Sequence, residues 1–130
     1  MTEPPPGTKA VLNLCESADP YRVEFHRWDA IPDAAPAPSI EWLARQVTFV
    51  EAQRQAGHGV YIHCAGGISR AGLVTAAYLM RRQGWSRDET IRYLRTKRPG
   101  VSPNPAFMAL LSEWQNAVKH PQPTTAATQP

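Results

Sequence analysis

Eight consecutive residues carry the densest chemistry in the chain: His63-Cys64-Ala65-Gly66-Gly67-Ile68-Ser69-Arg70. The β-formers Val60-Tyr61-Ile62 precede them and an apolar stretch with helical spacing follows. The segment therefore reads as a turn between a strand end and the first turn of a helix. At such a junction the backbone N–H groups from Ala65 to Arg70 lack helical partners and can curl round an oxyanion. Gly66 and Gly67 allow the backbone angles that this curl needs. Arg70 adds a planar guanidinium able to hold two phosphate oxygens at once. Cys64, at the floor of the cradle, would face the positive end of the helix, which favours thiolate over thiol. A thiolate beneath an oxyanion cradle is a nucleophile aimed at phosphorus.

The elements that must position this segment can be read along the chain. Residues 8–14 form a short buried strand, and Tyr21 to Trp28 alternates well enough for a second. Asp29 to Pro38 holds three prolines and must be a loop. Ser39 stands where an N-cap belongs, before a helix whose apolar residues Ile40, Leu43, Val47 and Val50 recur at helical spacing. After the strand Val60–His63, a helix runs from about Arg70 to Gln83 and stops at Gly84. Ser86-Arg87-Asp88-Glu89 is a capping box opening a third helix, and Ser102-Pro103 opens a last one through Phe107, Leu110, Leu111 and Trp114. This order argues for an α/β domain over residues 8–118, between a flexible N-terminus at 1–7 and a polar, disordered tail at 119–130.

Composition narrows the classes. A chain of 130 residues, 42% hydrophobic and 19% charged, is one soluble domain. It holds no apolar run of about eighteen residues, so no membrane association is expected. Met1 to Gly7 has an acid and three prolines where a secretory signal needs cationic and then apolar residues. Two cysteines are too few for a disulfide scaffold and fit a reducing cytoplasm. Residues 1–63 hold five Lys/Arg against eight Asp/Glu, a balance of −3, and residues 64–100 hold eight against two, a balance of +6. The basic half begins at Cys64 and suits an anionic ligand. There is no zinc spacing, nucleotide-binding glycine fingerprint or carboxylate pair, so neither metal nor cofactor is expected. Trp28, Trp42, Trp85 and Trp114 are scattered as packing residues, and no nucleic-acid partner is expected.

Cys64 to Arg70 is Cys-x5-Arg, and with His63 and Gly67 it resembles the His-Cys-x-x-Gly-x-x-Arg signature of cysteine-dependent protein tyrosine phosphatases. Val11-Leu12-Asn13-Leu14, Ala77-Tyr78-Leu79-Met80, Arg98-Pro99 and Pro103-Asn104-Pro105-Ala106-Phe107 are similar to segments of the dual-specificity branch, covering roughly residues 8 to 116. The resemblance implies a central mixed or mostly parallel sheet of about four strands flanked by helices. The branch's usual N-terminal strand and helix have no counterpart here, so the sheet edge near residues 8–14 is expected to be exposed or covered by a neighbour.

The implied activity is phosphomonoester hydrolysis through a phosphocysteine. Cys64 would be the nucleophile. Arg70 with the amides of Ala65, Gly66, Gly67, Ile68 and Ser69 would bind phosphate, and His63 would orient the loop. The leaving oxygen needs a general acid, which the family supplies as an aspartate about thirty residues upstream. Asp33 lies thirty-one residues before Cys64 in an Ile-Pro-Asp context and is favoured; Asp29, thirty-five before, is the rival.

Three further expectations follow from the resemblance. The family usually has Ser or Thr where this chain has Ala71, so the phosphoenzyme should form readily and hydrolyse slowly. Cys15, in Asn13-Leu14-Cys15-Glu16, is similar to the cysteine of phosphatase-and-tensin-type lipid phosphatases that traps the oxidised nucleophile as a disulfide. The neutral residues between Cys64 and Arg70 favour a phosphoprotein or aryl phosphate, acted on by a monomer, over a phosphoinositide, inositol phosphate or RNA 5′ end. A low-activity or non-catalytic phosphate-binding module is the other class.

Overall fold

Three short runs of β-formers build the sheet. A computed structural model, which describes residues 3–66 and 68–120, pairs β1 (Thr8–Asn13) with β2 (Phe25–Trp28) on one side and β3 (Gly59–His63) on the other, both in parallel. The strand order is β2-β1-β3. Ala10, Val11, Leu12 and Asn13 are wholly buried, as befits a central parallel strand covered on both faces. The class is α/β as expected, with three strands among the described residues rather than about four. The expected edge is corrected: residues 8–14 run through the middle of the sheet, and its edges are β2 and β3.

The second strand begins at Phe25, not Tyr21. Register partners in a sheet point to the same side, so Val11, His26 and Tyr61 share one face with Asn13, Trp28 and His63. The loop after β1 serves that face, placing Asp19 against His26 and His63. The other face carries Leu12 and Leu14 into the main core with Ile62, where the helices pack.

Helix α1 (Ile40–Gln55) is capped by Ser39, whose hydroxyl accepts from the Trp42 N–H at 3.0 Å. Helix α2 (Arg70–Gln83) closes on Gly84, whose φ of +73° suits glycine. Helix α3 (Arg87–Lys97) has the expected capping box, with Glu89 N–H donating to Ser86 Oγ at 3.1 Å and Ser86 N–H to Glu89 Oε1 at 3.0 Å. Helix α4 (Pro105–Lys119) starts later than Ser102-Pro103 suggests. Asn104 is its N-cap, with Oδ1 accepting from the Phe107 N–H at 2.9 Å. Pro105 at the first helical position holds residue 104 out of helical geometry, so a start at Pro103 would break.

Helix α2 is the core helix. Leu73, Val74, Ala76, Ala77 and Met80 are fully buried, against α1 through Leu43 and Val47 and against α4 through Phe107 and Leu111. The Trp114 indole N–H donates to the Ala77 carbonyl at 2.9 Å, locking α4 to it. No described helix is long and apolar enough to cross a membrane. Met1, Thr2, Gly67 and residues 121–130 lie outside the described residues, so the expectations for the N-terminus and the tail fall partly there. Of the expected tail, Lys119 still belongs to α4.

Candidate active site

β3 delivers His63 to the carboxyl edge of the sheet, and α2 begins seven residues later at Arg70. Between them Cys64 is buried, 8% exposed, and its Sγ accepts from the Ala71 N–H at 3.2 Å. The sulfur thus sits on the first turn of α2, where free N–H groups and the helix dipole favour negative charge. Ser69 is the N-cap of α2 but makes no side-chain cap bond, so the helix start keeps its donors. Gly66 has φ +76°, the left-handed turn this loop was expected to need. Ala65, Gly66 and Ile68 are exposed round the sulfur; Gly67 lies outside the described residues.

Arg70 is 6% exposed. Its Nη1 donates to both carboxylate oxygens of Glu16, at 3.0 and 3.1 Å, and to the Ile31 carbonyl at 2.9 Å. Burial pulls the guanidinium's proton affinity down, and the Glu16 carboxylate more than offsets this, so its pKa ends above the ordinary arginine value. Glu16 is correspondingly held below the carboxylate range by its bond to Arg70. The buried Arg70 Nε has no partner among the described residues. A buried guanidinium donor suits an anionic partner.

The loop is clamped from the other side. Arg98 Nη2 donates to the Gly66 carbonyl at 3.0 Å, and the Ser102 N–H to the Ile68 carbonyl at 2.9 Å. A Cβ on Gly72 would lie 3.4 Å from Val101 Cγ1, so the segment after α3 passes close over the start of α2.

Asp33 is brought to this loop. The Ser69 hydroxyl donates to its Oδ1 at 2.6 Å and the Asn104 carboxamide at 2.8 Å, while the Asn104 N–H donates to Ser69 Oγ at 3.0 Å. The bond from Ser69 holds the Asp33 carboxyl below the usual range; burial opposes this, and Asn104 and Arg70 reinforce it. Asp29 is not brought there. Its carboxylate accepts from Gln46 at 2.8 Å and Arg27 at 3.2 Å, against α1.

His63 stacks on Tyr61 with ring centroids 5.0 Å apart, and its Nδ1 lies 4.0 Å from Cys15 Sγ. Asn13 shapes the turn presenting Cys15 and Glu16: its Oδ1 accepts from the Cys15 N–H at 2.7 Å and its Nδ2 donates to the Ser17 carbonyl at 2.9 Å. Burial pushes the Cys15 thiol above its ordinary value, outweighing Arg70.

Glu16, Asn104 and Arg98 carry contacts that the sequence reading did not assign. Asn104 had a signal, since an Asn before Pro is a strong helix start. Glu16 had none, because its pairing with Arg70 spans fifty-four residues. Much of the basic half is structural: Arg81 pairs with Glu51, Arg87 with Asp88, and Arg95 donates to the Val101 carbonyl.

Residues 7–117 match the family model described as dual specificity phosphatase, catalytic domain. Human dual specificity protein phosphatase 1 is 29% identical over 126 residues, covering 95% of this chain and 34% of that protein. The chain thus spans about a third of that relative's length. Among solved structures, Tk-PTP in its active form superposes with a TM-score of 0.76 at 33% identity, covering 85% of this chain and 80% of that one. Human DUSP28 superposes with a TM-score of 0.80 at 23% identity over 87% and 80%, a likeness of fold alone.

Proposed function

The chain belongs to the dual specificity phosphatase catalytic-domain family, and from that premise we propose that it hydrolyses phosphate monoesters of proteins or aryl phosphates through Cys64. The observation that carries the reading is a buried Arg70 Nε with no partner among the described residues, on a helix start that also holds the Cys64 sulfur. A phosphoryl dianion suits this donor set of guanidinium and loop amides.

The Cys64 thiolate attacks phosphorus as the bond to the leaving oxygen breaks, and Asp33, in its acid form, gives that oxygen a proton. Water then attacks the phosphocysteine, Asp33 takes its proton, and the sulfur leaves as thiolate toward the Ala71 N–H. Arg70 and the amides supply the charge stabilisation. One chain contains every residue named, so a monomer suffices. A thiolate of this kind suits a reducing cytoplasm.

Hydrolysis of an aryl phosphate by wild type and Cys64→Ser tests the reading. Loss of activity to background supports it. Activity surviving in Cys64→Ser overturns it, and an inactive wild type that still binds phosphotyrosine makes the chain a binding module. We also propose that Cys15 guards the nucleophile. A hydroperoxide oxidises the Cys64 thiolate to a sulfenic acid, and the Cys15 thiol attacks that sulfur, expelling water and forming a disulfide. Mass mapping after peroxide should find the Cys15–Cys64 crosslink; finding only sulfinic or sulfonic Cys64 would end the idea.

A further inference from the structure

We infer that Asp19 is a positioning residue for the phosphate loop: its carboxylate clamps the His63 ring beside the nucleophile and so sets how readily Cys64 reacts. The inference deepens, and rests on, the reading of Cys64 as nucleophile. Asp19 lies in the loop between β1 and β2, yet its side chain is only 5% exposed. Its Oδ1 is 2.8 Å from His63 Nε2 and its Oδ2 is 2.8 Å from His26 Nε2. The two rings stand on the two outer strands, so one carboxylate ties β2 to β3 across β1. A buried carboxylate must be paired or hydrogen-bonded, and these imidazoles are what the fold offers it.

The two contacts differ in kind. The bond to His26 is aligned. The approach to His63 is as close but lacks hydrogen-bond alignment, so it acts through charge and reaches full strength when the ring carries a proton. Tyr21, packed on the same carboxylate, has its hydroxyl pushed up to about 12 by burial and then by Asp19 and Tyr61. The titratable groups round His63 are therefore Asp19, Cys15, Tyr61 and Tyr21, with His26 sharing the carboxylate and Cys64 next in the chain. A cleft of about 220 Å³, lined in part by Cys15, Asp19, Tyr21, Tyr61 and His63, lets them exchange protons with water.

With Nε2 held toward Asp19, the Nδ1 edge faces Cys15. The carboxylate thus fixes which edge of the ring stands beside the nucleophile, and without it the ring loses that orientation.

Alkylation of Cys64 by iodoacetamide, followed by mass mapping, reads this without any need for turnover. At about pH 6.5, Asp19→Asn should slow alkylation roughly three- to tenfold. Asp19→Glu should recover part of the rate. His26→Gln leaves the carboxylate to His63 alone and should alkylate at the wild-type rate. In two-bond proton–nitrogen spectra of ¹⁵N-histidine protein, wild-type His63 should carry its proton on Nε2, alone or together with Nδ1. Wild-type alkylation rates in Asp19→Asn overturn the proposal. So does a wild-type spectrum with His63 protonated on Nδ1 alone, even if Asp19→Asn fails to fold. If wild type hydrolyses no phosphate ester while alkylation still follows Asp19, the phosphatase reading fails and the coupling stands.

Discussion

Asp29 and Asp33 sit four residues apart at opposite ends of one loop turn, and they have opposite surroundings. Asp29 caps a network at the end of β2: Arg27 donates to it and to Gln46, and Gln46, fully buried on α1, donates to it in turn. Asp33 is exposed and reaches the other way, onto Ser69 beside Arg70 and onto the N-cap of α4. The first carboxylate holds the sheet to a helix. The second is the one left over the phosphate loop with a face to solvent, where an acid must be in order to meet a leaving group. Chemistry here is decided by partners, not by residue type or spacing.

The sharpest break of this comparison is to remove each carboxylate in turn. Asp33→Ala should lower kcat on phenyl phosphate by about 10²–10⁴ with the fold intact. The loss should shrink on nitrophenyl phosphate, whose leaving group needs less help from a proton. Asp29→Ala should keep kcat within a few-fold and instead cost about 1–3 kcal/mol of stability, because the buried Gln46 amide loses its acceptor. Its thermal midpoint should fall by several degrees. A large kcat loss in Asp29→Ala with an unchanged Asp33→Ala would exchange the two roles.

The phosphate loop was legible in the sequence because it is local: a strand, two glycines, an arginine and a helix start lie within eight residues. The helices were legible from spacing and caps, as Ser39 and Ser86 show. The proposed acid could be narrowed in the sequence only to two aspartates, since both occupy a proline-rich loop whose path is set by distant contacts. Asp33 is fixed by Asn104, seventy-one residues away. The central place of β1 was missed for a similar reason. Parallel pairing is non-local, and nothing in residues 8–14 says which strands lie on either side.

Asn104 allows a finer test of the Asp33 end. Its carboxamide, with Ser69, helps hold Asp33 ionised. An acid must be protonated to act, so kcat/KM should rise as pH falls toward the carboxylate range. Asn104→Ser keeps a good N-cap for α4 but withdraws the donor from Asp33. The Asp33 value then moves up toward the ordinary one, and the kcat/KM profile should shift to higher pH, raising activity near neutrality by about two- to fivefold. A profile that stays in place would mean that Asp33 does not set it.

A separate effect concerns the second half of the reaction, where partners matter to sulfur as they do to the carboxylates. Among the described residues the Cys64 sulfur accepts from the N–H of Ala71. That donor lies on the residue whose side chain departs from the family's usual hydroxyl. In the proposed reaction the thiolate that attacks must later leave phosphorus, and a further donor would lower that barrier. A slow second step should show as a burst of product, close to one per enzyme, before the steady rate. Ala71→Ser adds a hydroxyl at the first turn of α2, where a charge-assisted bond to sulfur contributes about 1.5 kcal/mol or more before packing costs in that buried site. The steady rate should therefore rise about three- to tenfold and the burst should fade. With no burst in wild type and no gain in Ala71→Ser, the backbone donors would be enough, and the missing hydroxyl would carry no kinetic weight.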